Sequence, residues 1–150
     1  MEALSEEILV LEKEAVVHWS PCGEGKMPIR QWAKPGAEKV VLLHGGSGSW
    51  LHWARNIPAL REQFDVYAID LPGLGDAAMC EVESDAFSAA RATKIALEQL
   101  LDSAFHVVAF SWGCTITAMI MKDMTRRLKS VMLTGPAAVG GGAQQGLYET

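Results

Sequence analysis

The segment Phe105-His106-Val107-Val108-Ala109-Phe110-Ser111-Trp112-Gly113-Cys114 constrains the fold more than any other stretch of the chain. A near-continuous apolar run enters Ser111, and small residues and a helical stretch follow it. An apolar run of this length reads as a buried strand, so the segment is strand, tight elbow, helix. Such an elbow holds a hydroxyl clear of the backbone. A serine hydroxyl is a weak nucleophile until a base takes its proton. The plainer reading is a serine that merely caps a helix after a buried strand.

The same alternation of strand and helix runs along the chain. Residues 8–19 carry β-branched and alternating stretches and read as a strand. Residues 20–26 have turn composition, and 27–33 read as a second strand that pairs with the first antiparallel. Residues 39–43 form a buried strand that ends at His44-Gly45-Gly46-Ser47-Gly48-Ser49. Residues 50–62 read as a helix with Leu51, Ala54, Ile57 and Leu60 on one face, kinked or broken at Pro58. Residues 64–69 are the next strand, closed by Asp70-Leu71-Pro72-Gly73-Leu74-Gly75-Asp76. A helix over 87–101 buries Ala90, Ile95, Ala96, Leu97 and Leu100, with Ser84 or Asp85 as its cap. The elbow helix runs to about Arg127, and 130–134 form one more buried strand. The tail from Gly135, residues 137–150 above all, is rich in Gly, Ala and Gln and reads as loosely ordered. The pattern predicts a single α/β domain over 1–150, a three-layer sandwich around a mostly parallel sheet.

Composition excludes several functions. A chain of 150 residues with 49% hydrophobic and 21% charged residues is globular. Its net charge of −5 argues against a nucleic-acid partner. The one basic cluster, Arg126-Arg127-Leu128-Lys129, falls at a helix end, where cations favour the dipole. Cys22, Cys80 and Cys114 have no metal or redox spacing, so no metal and no cofactor are expected, and a reducing, cytoplasmic setting is. The acidic N-terminus is unlike a signal peptide, and no apolar run is long enough to span a membrane.

Two further segments carry chemistry. In His44-Gly45-Gly46, glycines after a buried strand bring backbone N–H groups close to a ligand oxygen. The Gly46 N–H, with the Trp112 N–H, is placed to hold an oxyanion. A phosphate loop is the rival reading, but no Gly-Lys-Ser/Thr follows and the third glycine of a dinucleotide fingerprint is absent. His44 reads as a structural hydrogen-bonding residue that braces this loop. Asp70 reads as a turn-former, since the Asp-x-x-Gly of a nucleotide-binding protein would need a phosphate loop upstream.

The glycine loop, the Asp70-Leu71-Pro72-Gly73 turn and the Ser111 elbow occur in the order and spacing of the α/β-hydrolase superfamily, which the chain resembles from about residue 8 to 136. The likeness is nearest to its serine esterases, lipases and carbon–carbon bond hydrolases. Ala109 departs from the usual glycine two residues before the nucleophile, and a methyl is small enough for a crowded elbow. Ser111 also differs from the aspartate of the superfamily's epoxide hydrolases and dehalogenases. The resemblance implies about six of eight strands and a serine hydrolase acting on an ester, thioester or activated C–C bond. It implies Ser111 as nucleophile and Gly46 and Trp112 as oxyanion donors. His44, Gly45, Asp70 and Gly73 are the structural motif residues; Ser47, Trp50 and Trp53 are candidates for contact with the substrate, though tryptophans here serve core packing as readily.

The family's triad acid and histidine follow later strands and have no counterpart here. After Ser111 the only carboxylates are Asp123 and Glu149, and no histidine follows. His106 opens the elbow strand, about 16 Å from Ser111 at strand rise. His18 lies on the opening pair; His52, in the first turn after the glycine loop, is the one internal candidate for a base, but reads rather as packing or lining its helix with Trp53 and Asn56. The alternative function is an inactive split or truncated chain acting as a binding or assembly module. The expected partners are a small acyl substrate and, through an open edge at the sixth strand, a second copy or a missing C-terminal segment.

Overall fold

The computed structural model describes residues 5–80 and 85–136, so the expected loose tail over 137–150 lies outside the described residues. Its helices are α1 (Glu6–Glu14), α2 (Ile57–Leu60), α3 (Ala86–Leu100) and α4 (Trp112–Met124). Its strands are β1 (Val16–Cys22), β2 (Gly25–Trp32), β3 (Lys39–Leu43), β4 (Asp65–Ile69), β5 (Phe105–Phe110) and β6 (Leu128–Thr134). They form one six-stranded sheet in the order β1-β2-β4-β3-β5-β6. The β1–β2 and β2–β4 pairings are antiparallel, and those of β3 with β4, β3 with β5 and β5 with β6 are parallel. The sheet is thus mixed, its parallel part beginning only at β4.

Alternation along the strands divides the apolar side chains between two cores. Val41, Leu43, Tyr67, Ile69, Phe105, Val107 and Ala109 pack on one face against α3 and α4. Val40, Leu42, Val66, Ala68 and Trp32 pack on the other against Leu11 of α1 and Trp50, Trp53 and Ile57. The result is three layers. The second face is covered unevenly, because Met132 on β6 is 62% exposed while Val131 and Leu133 pack on the first core.

Three local readings differ from expectation. Residues 6–14 are helical, not strand: Ser5 caps α1 by accepting the Ile8 N–H at 3.4 Å, and Glu6 and Glu7 suit its first turn. The expected helix over 50–62 is a 3-10 turn (Trp50–Trp53) followed by the single turn of α2, with Pro58 at the start of that turn, where its missing N–H costs nothing. Leu51 and Ile95 are exposed where burial was expected. For α3, Asp85 is the cap, accepting from the Phe87 and Ser88 N–H groups.

Register places the functional loops. Leu43 pairs with Ile69 on one side and Ala109 on the other, so β3, β4 and β5 end level with one another. The loops beginning at His44, Asp70 and Ser111 therefore leave the same rim of the sheet, the carboxyl end of its parallel strands, where open α/β sheets bind ligands.

Candidate active site

The elbow is tight and strained. Ser111 has φ 50° and ψ −111°, a conformation that L-residues rarely adopt, between β5 and the first residue of α4. Its N–H donates to the Thr134 carbonyl of β6 at 3.1 Å. Gly113 lets α4 cross the end of β3: a Cβ there would lie 2.4 Å from the Leu43 oxygen and 2.8 Å from the His44 oxygen. Ala109 is fully buried, and its carbonyl accepts the Cys114 thiol at 3.4 Å. The Cys114 thiol also reaches the Thr134 carbonyl at 3.4 Å.

The glycine loop folds against this elbow. The Gly48 N–H donates to the Gly45 carbonyl at 3.2 Å, closing a turn that carries Ser47 at φ 60°. Gly45 is packed so closely that a Cβ would meet the Phe110 ring at 2.8 Å and the Ser111 Cβ at 3.2 Å. Gly46 is exposed, and its Cβ position lies 3.9 Å from the Trp112 Cβ. Among the described residues, neither the Gly46 N–H nor the Trp112 N–H donates a hydrogen bond. Gly46 and Trp112 line one open groove of about 320 Å³ with Pro72, Gly73, Leu74 and Met79. All three sequence motifs thus contribute to one concavity.

Two buried polar groups fix these loops to each other. The His44 Nε2 accepts the Leu71 N–H at 2.9 Å, so its Nδ1 carries the proton and donates to the Gly45 carbonyl at 2.7 Å. Burial depresses the His44 pKa, outweighing the Gly45 bond and the Asp70 charge, and holds the ring neutral. Asp70, also buried, accepts the Trp50 N–H at 2.8 Å and the Asp76 N–H at 3.0 Å. Its countercharge is Arg30 of β2, at 3.1 Å, which also pairs with Asp76 at 2.7 Å and Glu12 of α1 at 3.3 Å. The Arg30 guanidinium lies 5.3 Å over the Trp50 ring.

His52 braces the loop from below. Its Nδ1 accepts the Gly45 N–H at 3.2 Å, and its ring meets Phe110 edge-on at 5.6 Å. No described histidine bonds to Ser111. His106 bonds Ser130 at 2.6 Å and Glu38 at 2.7 Å at the far rim, and His18 bonds Gln31 at 2.7 Å on β1. Hydrogen bonds from Lys129 and then His106 pull the Glu38 carboxyl down to about 2. The basic cluster is likewise partnered, Lys129 with Glu38 and Arg127 with the Leu101 carbonyl.

Some expected site residues stand elsewhere. Trp50 and Trp53 are core residues of the second face, Trp50 against Trp32 at 5.6 Å, and neither lines the groove beside Gly46. Both side chains turn inward, the core-packing alternative, because the 3-10 turn buries that face. Ser47 is exposed beside Gly46 but does not line the groove. Arg30 is a site-building residue that the sequence motifs do not include. A lone arginine amid the apolar residues of β2 was the available signal for it.

A family model described as the alpha/beta hydrolase fold matches residues 39–145, from β3 through all three motifs. The chain belongs to the α/β-hydrolase fold family. It is 30% identical over 114 residues to the dihydrolipoyllysine-residue acetyltransferase component of the acetoin cleaving system of Cupriavidus necator, covering 76% of this chain and 30% of that protein. It is 36% identical over 92 residues to a soluble epoxide hydrolase of Corynebacterium sp., covering 59% of this chain and 32% of the relative. The chain spans about a third of the length of these curated relatives. Among solved α/β-hydrolase structures, naproxen esterase of Bacillus subtilis superposes with a TM-score of 0.75 at 21% identity, over 91% of this chain and 52% of that one. That likeness is one of fold. Among the described residues no helix is long and apolar enough to cross a membrane.

Proposed function

We propose that this chain carries the attacking half of a serine hydrolase site acting on an ester, a thioester or an activated C–C bond. The observation that carries the reading is the pairing of a strained Ser111 with two backbone N–H groups, of Gly46 and Trp112, that find no acceptor among the described residues and line one groove. The Ser111 Oγ attacks the carbonyl carbon, and the charge that develops on oxygen meets the two N–H groups. Each such donor contributes on the order of 3 kcal/mol to the barrier. The N-terminus of α4 favours the same negative charge. The proton of Ser111 goes to a histidine held by a carboxylate, both supplied from outside residues 5–136. The elbow residue also separates this reading from epoxide opening, since the chain bears serine where the superfamily's epoxide hydrolases use aspartate.

A fluorophosphonate probe tests the proposal. Slow labelling confined to Ser111 and abolished in Ser111→Ala is expected. Equal labelling of the two proteins, or none in a folded chain, favours the second reading, a non-catalytic binding or assembly module. That reading draws on the histidines, none of which bonds Ser111. We further propose that the open side of β6 among the described residues and the exposed Met132 promote self-association. A concentration-independent monomer by light scattering would refute it.

A further inference from the structure

We propose that Cys22 and Cys80 form a reversible disulfide that fastens the β4–α3 connection, one wall of the groove, to the β1–β2 hairpin. The two cysteines line one cavity of about 160 Å³ with Ser88 and Arg91 of α3. The hairpin beside Cys22 and the chain leading into Cys80 are already held in register. The Cys22 thiol donates to the Ala78 carbonyl at 3.2 Å, and the Ala78 N–H donates to the Lys26 carbonyl at 2.9 Å. Gly25 faces Ala78 so closely that a Cβ there would lie 2.6 Å from the alanine methyl. The connection beyond carries Gly73, Leu74 and Met79, three of the groove's lining residues. A covalent link at Cys80 therefore ties that wall to the hairpin.

Burial, and secondarily Cys80, push the Cys22 thiol up to about 11, so Cys22 is the slower of the two to meet an oxidant. Cys80 is half-buried and meets the oxidant first. With a peroxide, the Cys80 sulfur takes one oxygen, giving a sulfenic acid and releasing water. The Cys22 sulfur then attacks the sulfenic sulfur. The S–S bond forms, the S–O bond breaks, and the departing oxygen leaves as a second water with the Cys22 proton. Two thiols lose two electrons, and the peroxide gains them.

The test treats the 150-residue chain with hydrogen peroxide and maps its peptides by mass spectrometry without reduction. The expected result is a linked peptide pair joining Cys22 and Cys80, with Cys114 still alkylatable after unfolding. Closing a loop of about 58 residues should raise Tm by roughly 10 °C, reversibly with dithiothreitol. Cys80→Ser, at the half-buried position, should give neither change. The proposal is overturned by a sulfinic or sulfonic Cys80 with no linked peptide, by a link through Cys114 in place of Cys22, or by the same Tm change in Cys80→Ser. These readouts do not involve Ser111, so they stand or fall apart from the hydrolase reading.

Discussion

Replacing Gly113 with alanine probes the packing that brings the elbow to the glycine loop. The added methyl would sit 2.4 Å from the Leu43 oxygen and 2.8 Å from the His44 oxygen. Carbon and oxygen rest comfortably near 3.4 Å, so helix and strand end must part by about 1 Å. Neither partner is a flexible side chain. Leu43 is paired to both Ile69 and Ala109, and His44 bridges to Leu71. Overpacking against rigid backbone costs about 3 kcal/mol, the upper part of the usual range. Alanine returns about 1 kcal/mol through its better helix propensity. The net loss is about 2 kcal/mol, a fall in Tm of roughly 4–8 °C for a chain of this size. Urea titration and calorimetry measure it. Gly46→Ala is the control, since its methyl meets nothing nearer than the Trp112 Cβ at 3.9 Å. A Gly113→Ala protein within about 0.5 kcal/mol of the parent, or a Gly46→Ala protein less stable than it, would refute the reasoning.

Two other outcomes follow from the buried polar groups. Arg30→Ala leaves Asp70 buried with its main countercharge gone, and a loss of about 3–5 kcal/mol is expected by urea titration; a loss under about 1 kcal/mol would count against the pairing. His44 is held neutral, so its folded pKa lies below its unfolded value near 6.5. The unfolded chain then binds more protons as pH falls below 6.5. Stability is accordingly lost on acidification, at up to about 1.4 kcal/mol per pH unit. His44→Gln should flatten that slope between pH 7.5 and 5.5, and an unchanged slope would locate the titration elsewhere.

The strands of the parallel core were legible because their side chains are apolar on both faces, as at Val40-Val41-Leu42-Leu43. The elbow was legible because Ser111 interrupts such a run just before a helical pattern. Residues 6–14 misled because Ile8-Leu9-Val10-Leu11 has strand composition, while the signals for helix lay in the polar residues around it, Ser5, Glu6, Glu7 and Lys13. For Trp50 and Trp53 the sequence left core packing and substrate contact both open, because nearness to the glycine loop says nothing about which way a 3-10 turn directs them. The Arg30–Asp70 pair joins residues 40 apart, one on β2 and the other just past the end of the adjacent β4. Composition marks such an arginine as needing a partner, but only the β2–β4 pairing says which carboxylate supplies it.

The Thr134 carbonyl receives both the Ser111 N–H and the Cys114 thiol, at 3.1 and 3.4 Å. Thr134 is also the last residue of β6, the strand with one side open among the described residues. The turn that presents the hydroxyl is therefore moored to the outermost strand of the sheet as well as to its centre. A strand added along β6 would steady the mooring and narrow the positions Ser111 can take. Fraying at that edge would let the serine drift from the two N–H groups while the rest of the core stayed intact.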